Sequence, residues 1–458
     1  MLHKDGRLLF DVTGQLQWYA HHVHASGIQR VTEHIIRSAP IRTFPNLEFV
    51  FRPLGDHRFH RIDPSAIFDL ADERRKDRAI SRLRWILVRA SRSPALSGLV
   101  TEARSFDGGY ILKGWGRLDK VAPLWTGMDD RSFRFSPIQP PTEADTLVNT
   151  GDFWCHPQYA RTVVTLKRRT GMRIVVILHD LFYLDNPDWN HSRFGHFTRQ
   201  LAELAPHVDV WMPTSRFVES QLKSYLGDQA TAGPSMHPLP MGWGLSQHSS
   251  TPTSSEIKET LERFGLEPQQ YFLSVGKIEP RRNMVALIDA FSAVCRREKR
   301  PLPRCVIVGQ DGWKSGAFKS RLRSLGHEDG QVTWLKNVSD AELSVLYAAA
   351  RLCVVPSIVE GWGLPIRESI AHGTPCLASN GGGAMEAGGG LVDYFDPHQP
   401  DGLMSALHQW LIDDERPRKA RDVLARFRED LSPASWDASG RAVLDAAFDP
   451  SADPKIPR

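Results

Sequence analysis

The chain has 458 residues, too many for one ordinary hydrophobic core, so two domains are expected. Its 41% hydrophobic and 24% charged residues are those of a globular protein, and a net charge of +4 is too small for wholesale nucleic-acid binding. No stretch approaches the roughly 20 apolar residues of a membrane span, and the early run Leu8 to Val12, broken by Asp11, does not read as a secretory signal. The cysteines Cys155, Cys295, Cys305, Cys353 and Cys376 are scattered without metal-ligand spacing, which suits reduced thiols in a cytoplasmic protein.

Arg7 to Val12 reads as a first strand. A loop with Gly14, His21, His22 and His24 follows, and Ser26-Gly27-Ile28-Gln29-Arg30-Val31 opens a helix with apolar positions Ile28, Val31 and Ile35. A glycine at a helix start lets a ligand approach the backbone closely. The histidines lack carboxylate or thiol neighbours in register and read as loop residues rather than a metal site. Leu47 to Phe51 is a second strand. Regularity is then lost across an irregular basic insertion, about residues 55–141. Within it, arginines interleave with Ile80, Leu83, Trp85 and Ile86 in a basic amphipathic helix. Such a helix either lies on an anionic membrane surface or is an ordinary surface helix with snorkelling arginines.

Thr146 to Asn149 is a short strand. Arg173 to Leu178 is a continuous apolar run suited to a parallel sheet covered on both faces. It ends in His179-Asp180. Polar residues just beyond such a strand lie where open α/β sheets bind ligands, so His179 is a candidate site residue, with Asp180 able to orient its imidazole. A strand over Val208 to Met212 and a helix over Phe217 to Tyr225, capped by Ser215, follow.

Residues 246–268 form a Ser/Thr-rich linker and lead-in helix between an N-terminal domain, 1–245, and a C-terminal domain, 269–430. Tyr271 to Val275 is a strand. The loop after it carries Lys277 and Arg282, with Asn283 as N-cap of the next helix, and two cations at a helix N-terminus suit a diphosphate. Strands at Arg304 to Gly309, Gln331 to Leu335, Leu352 to Val355 and Thr374 to Ser379 continue the alternation. Ser339 and Glu342 form a capping box. Residues 431–458 read as a tail.

After Leu352 to Val355 comes Pro356-Ser357-Ile358-Val359-Glu360-Gly361-Trp362-Gly363-Leu364-Pro365-Ile366-Arg367-Glu368. Strand, glycine loop and helix N-terminus in that order offer backbone N–H groups and a positive dipole end to a phosphate. Glu360 and Glu368 bracket it, and carboxylates suit the hydroxyls on either side of a diphosphate. Both halves thus predict α/β domains with doubly wound parallel sheets, facing across a cleft.

These residues resemble a known family. The Glu360-x7-Glu368 spacing, the Ala371-His372-Gly373-Thr374-Pro375 segment, the basic loop Val275 to Asn283 and the N-terminal segments at Gly27 and His179-Asp180 are similar to retaining glycosyltransferases of family 4, of the bacterial surface-polysaccharide type. The resemblance implies a GT-B fold, two Rossmann-like domains around a cleft. It implies transfer of a sugar from a nucleotide-sugar donor, GDP-mannose or a UDP-sugar, to a hydroxyl of a glycan or lipid-linked glycan, without a metal and without a bound cofactor. By it, Glu368 binds the nucleotide ribose and Glu360 the transferred sugar. Lys277 and Arg282 hold the diphosphate, with backbone N–H groups of Gly363 and Leu364. Gly27 approaches from the other domain, and His179 contacts the donor sugar. Arg282 departs from the family's usual lysine. A non-catalytic GT-B protein and a sugar-nucleotide epimerase are the competing readings. The cellular place implied is the cytoplasm, with peripheral contact at the cytoplasmic face of the inner membrane if the basic helix binds there. The oligomeric state is not fixed by the residues.

Overall fold

The computed structural model describes residues 6–52, 58–91, 135–154, 158–189, 194–228, 234–243, 252–324, 331–399, 401–429 and 435–448. Most of the insertion, Cys155, the first part of the linker and the extreme C-terminus lie outside these residues.

Two sheets organise the chain. The N-terminal sheet holds β1 (Leu8–Asp11), β2 (Leu47–Phe51), β3 (His60–Ile62), β4 (Phe135–Pro137), β5 (Thr146–Asn149), β6 (Arg173–Leu178), β7 (Val210–Pro213) and β8 (Ser235–Met236). Their order is β4-β3-β2-β1-β5-β6-β7-β8. The C-terminal sheet holds β9 (Tyr271–Val275), β10 (Arg304–Val308), β11 (Val332–Leu335), β12 (Leu352–Val355), β13 (Cys376–Ser379) and β14 (Asp393–Phe395), in the order β11-β10-β9-β12-β13-β14. The second sheet is parallel throughout. The first departs from the expected all-parallel form: β3 pairs antiparallel with β2 and β4, so the insertion's two ends build an antiparallel edge.

Alternation along each strand sends side chains to opposite faces. Leu8 and Phe10 enter one core and Leu9 the other; Val175 and Ile177 divide from Ile174 and Val176 in the same way. The second sheet does likewise, with Leu273 and Cys353 on one face and Phe272 and Val354 on the other. Burial on both faces explains why these strands are continuous apolar runs.

Two expectations need correction. Asn283 stands at the N-cap of the helix Met284–Arg297, but in the left-handed conformation, φ 55°, and its side chain makes no capping bond. The segment 431–458 is not simply a tail: Ser435–Phe448 is a helix that returns to the N-terminal domain. Trp436 is buried there, stacked on His34 at 4.4 Å between ring centres, and Thr146 Oγ1 donates to the Ala447 carbonyl at 2.9 Å. The basic helix Lys76–Ser91 forms, and Ala79, Ile80 and Leu83 pack into the N-terminal core, which suits the surface-helix alternative. No helix among the described residues is long and apolar enough to cross a membrane.

Candidate active site

In each sheet the chain reverses its direction of winding at one point. In the second sheet β9 and β12 are neighbours there; in the first, β1 and β5. Loops leaving the C-terminal ends of such strands diverge and leave a crevice. The Lys277–Arg282 loop follows β9 and the Glu360 loop follows β12. Opposite them, the segment leading to Gly27 follows β1, Thr150–Asp152 follows β5, and His179 follows β6, beside β5. Strand order alone therefore brings the candidate residues to one cleft.

The two domains touch there. A Cβ on Gly361 would overlap the His179 carbonyl oxygen, so only glycine lets the Glu360 loop lie on the His179–Asp180 backbone. Ser215 Oγ donates to the Gly361 carbonyl at 2.6 Å and accepts from Val218 N at 3.0 Å, capping the helix Arg216–Leu226 as the sequence suggests. Glu386, from beyond the triple glycine, accepts from the backbone N–H groups of Arg216 and Phe217 at that same helix end. Gly27, first residue of the helix Gly27–Arg37, faces Leu364, first residue of the helix Leu364–Ala371; a Cβ on it would lie 3.8 Å from Leu364 Cδ1. Two helix N-termini, each a source of positive potential, thus meet across the cleft. Gly363 precedes the second with φ 109°, a conformation that favours glycine.

Glu360 is buried and fully engaged. Its Oε2 accepts from Arg281 Nη1 at 3.0 Å, and its Oε1 from Ser357 Oγ at 2.7 Å and from Arg282 Nη1. Burial raises its carboxyl, but Arg282 and then Arg281 outweigh it and hold the group below its ordinary value. Arg282, expected at the diphosphate, thus also pairs with Glu360. Arg281 also pairs with Glu279 at 2.6 Å and lies over the Phe182 ring of the N-terminal domain. Among the described residues Lys277 takes no part in an ion pair; its ammonium lies 5.9 Å from the Trp18 ring centre and 5.5 Å from that of Trp313, one indole from each domain.

Glu368 is buried, and its Oε2 accepts from Tyr347 Oη at 2.8 Å. Its Oε1 accepts from Arg30 Nη1 at 3.1 Å, across the cleft. Burial raises its carboxyl, with Arg30 and Tyr347 opposing. His372 stacks on Tyr347 and bonds Ser344 Oγ and the Glu368 carbonyl, both at 2.7 Å, which fixes the phenol that fixes Glu368.

His179 is oriented by the Thr150 carbonyl, 2.8 Å from Nε2, and not by Asp180. A carbonyl demands a donor, so Nε2 carries the proton and Nδ1 is left as an acceptor. Burial lowers the imidazole to about 4, so it is neutral near pH 7. Asp180 instead faces the Arg281–Glu360 cluster; burial pushes it up to about 6, with Arg281 opposing. His22 stacks on Trp18 at 3.8 Å. Among the described residues no three His, Cys, Asp or Glu side chains group as a metal site requires.

The sequence reading missed Arg30, Arg281 and Tyr347. Arg30 was visible beside Gly27 as a helix residue, but nothing local points to a partner 338 residues away.

Two Rossmann-like sheets with their ligand edges apposed, and buried carboxylates and cations in the seam, define a GT-B architecture. Residues 257–423, a stretch that spans most of the C-terminal domain, match the family described as glycosyl transferases group 1. The O-antigen chain mannosyltransferase B of Escherichia coli is 27% identical over 278 residues, 60% of this chain and 70% of that protein. The serotype-specific mannosyltransferase WbdA of the same species is 24% identical over 290 residues, 62% of this chain but only 34% of its own length. Among solved structures, HepE of Anabaena in complex with UDP-glucose superposes with a TM-score of 0.52 at 16% identity, covering 66% of this chain and 78% of that one, a likeness of fold.

Proposed function

We propose that the chain transfers a mannosyl residue from a nucleotide sugar to a hydroxyl of a growing surface polysaccharide, with retention of anomeric configuration and without a metal. The observation that carries this is the meeting of Glu360, Glu368, Lys277 and two helix N-termini at the switch points of the two sheets. The mannosyltransferase relatives favour mannose and hence GDP-mannose as donor; a UDP-sugar is the alternative tested beside it.

In this reading Glu368 receives the ribose hydroxyls and Glu360, steadied by Arg281 and Arg282, those of the sugar. The bond from the anomeric carbon to the phosphate oxygen breaks, and its electron pair leaves with the nucleoside diphosphate. Lys277 and the N-terminus of the helix Leu364–Ala371 stabilise that charge. The acceptor oxygen forms the new bond on the same face, and its proton passes to the departing phosphate oxygen. His179, neutral, accepts a sugar hydroxyl at Nδ1 rather than serving as an acid. Contact with a membrane, if made, uses the exposed Arg74 and Arg78, since the described apolar face of the basic helix is already packed.

Purified protein with GDP-mannose, a panel of UDP-sugars and glycan acceptors should release nucleoside diphosphate and yield a mannosylated product. Lys277→Ala should lose at least 100-fold in rate. Tight donor binding without turnover would make the protein a binding module, and an altered free sugar nucleotide would make it an epimerase.

A further inference from the structure

Arg30 is a long side chain on the first turns of the helix Gly27–Arg37, and it reaches out of its own domain with both arms. Nη1 donates to Glu368 Oε1 at 3.1 Å, and Nη2 pairs with Asp340 Oδ1 at 2.5 Å. Both carboxylates belong to the C-terminal domain, on two different helices, Leu364–Ala371 and Asp340–Ala349. The three side chains are mostly withdrawn from water, at 16%, 5% and 21% exposure, so solvent screens these pairs far less than ordinary surface pairs. A guanidinium can serve two carboxylates in fixed directions; an ammonium is a point charge without that fork. Burial opposes the charge on Arg30, but Asp340 and Glu368 hold its pKa above the usual arginine value. Behind it, the buried Glu33–Lys76 pair, 2.7 Å apart, and Tyr19, bonded to Glu33, pack the helix that carries Arg30.

The two arms are not equivalent. Glu368 Oε2 accepts from Tyr347 Oη and Oε1 from Arg30, so a ribose hydroxyl arriving at Oε1 meets the guanidinium there. Asp340, at the first position of its helix, stands outside the glutamate motif and makes a separate contact, to the other arm of Arg30.

We propose that Arg30 is a positioning residue, a clamp between the domains whose Asp340 arm anchors the closed arrangement and whose Glu368 arm competes with a nucleotide ribose for the carboxylate. The proposal rests on the reading of Glu368 as the ribose carboxylate. It makes nucleotide binding and domain position one linked equilibrium: the nucleotide competes for an interdomain contact, while the Asp340 arm keeps the N-terminal domain in reach for the transfer.

The test uses the full chain. Arg30→Met removes both arms at similar length, Arg30→Lys keeps charge but not the fork, and Asp340→Asn removes the anchor alone. Domain separation is measured by small-angle scattering without nucleotide, GDP and UDP affinity by calorimetry, and kcat and KM with the donor. Arg30→Met should open the domains, bind nucleoside diphosphate three- to tenfold more tightly because a competitor is gone, and lose at least tenfold in kcat. Arg30→Lys should share the kcat loss. Asp340→Asn should open the domains and, because Arg30 is then less firmly held against Glu368, bind nucleoside diphosphate as tightly as wild type or slightly more tightly, which keeps the test alive if Arg30→Met folds poorly. Unaltered domain separation in both Arg30→Met and Asp340→Asn, or weaker nucleotide binding by Arg30→Met, overturns the proposal. If the wild-type chain binds no nucleoside diphosphate, the donor reading fails, while the scattering comparison still tests the clamp.

Discussion

Replacing Glu386 by alanine removes a carboxylate that spans the cleft, since its two oxygens accept from Arg216 N and Phe217 N at 2.9 and 3.1 Å. Those N–H groups lie in a first helical turn and have no partner within the helix. Ser215 already satisfies Val218 N, so no other cap takes over. Hydrogen bonds to a charged group contribute about 1.5–3 kcal/mol when well buried. Glu386 is partly exposed, and screening reduces each bond to about 1 kcal/mol with the helix dipole included. The loss is then about 2 kcal/mol, or about 30-fold in the ratio of closed to open domains. Each domain keeps its own core, so the cost falls on closure and not on folding. Steady-state kinetics should give a kcat/KM about 30-fold lower for Glu386→Ala, with the melting temperature changed by no more than a few degrees. Glu386→Gln keeps an acceptor without the charge and should fall between. A kcat/KM within twofold of wild type for Glu386→Ala, or a collapse of thermal stability, would refute the reasoning.

Gly361→Ala places a methyl group on the His179 carbonyl oxygen. Overpacking of this kind costs about 1–3 kcal/mol, so kcat/KM should drop about 5- to 150-fold while circular dichroism stays native; normal kinetics would mean the domains do not meet at that point. Trp436→Ala empties a buried site that joins the C-terminal helix to His34, Gly242 and the Trp243 carbonyl. Urea denaturation should show a loss of about 3–5 kcal/mol, and a loss under 1 kcal/mol would mean the helix is not docked. His34 supplies a pH test. Burial, then Arg37 and Arg30, lower it to about 3, whereas unfolded it protonates near 6.5. Its neutral form therefore contributes stability that is complete above about pH 6.5 and lost as pH falls toward 3. Stability measured for wild type relative to His34→Gln should shrink by about 2 kcal/mol between pH 7.5 and pH 5; a constant or growing difference contradicts the assignment.

Much of the frame is legible residue by residue. β5, β6, β9 and β12 coincide with the apolar runs at Thr146, Arg173, Tyr271 and Leu352 because both faces of each strand are buried, and such runs need no partner to be recognised. The capping box at Ser339 is equally local. β3 and β4 were not legible: three residues are too few to show alternation, and Pro137 tolerates an edge position. Nor was the docking of Ser435–Phe448, whose apolar positions say that it packs but not on which domain.

The glutamates show the same boundary inside the site. Their spacing around a glycine loop identifies them as a pair, but a buried carboxylate also requires a cation or several donors, and the motif does not name them. Glu360 takes Arg281 and Arg282 from the loop after β9, the next strand of the same sheet, so its charge is balanced within one domain. Glu368 takes Arg30 from the other domain. On the proposed roles, the two carboxylates respond differently to the same nucleotide sugar. Hydroxyls arriving at Glu360 rearrange ion pairs made within the C-terminal domain, whereas a hydroxyl arriving at Glu368 alters an ion pair made directly to the N-terminal domain. The proposed link between nucleotide and domain position thus runs through Glu368, because its cationic partner is anchored on the opposite domain.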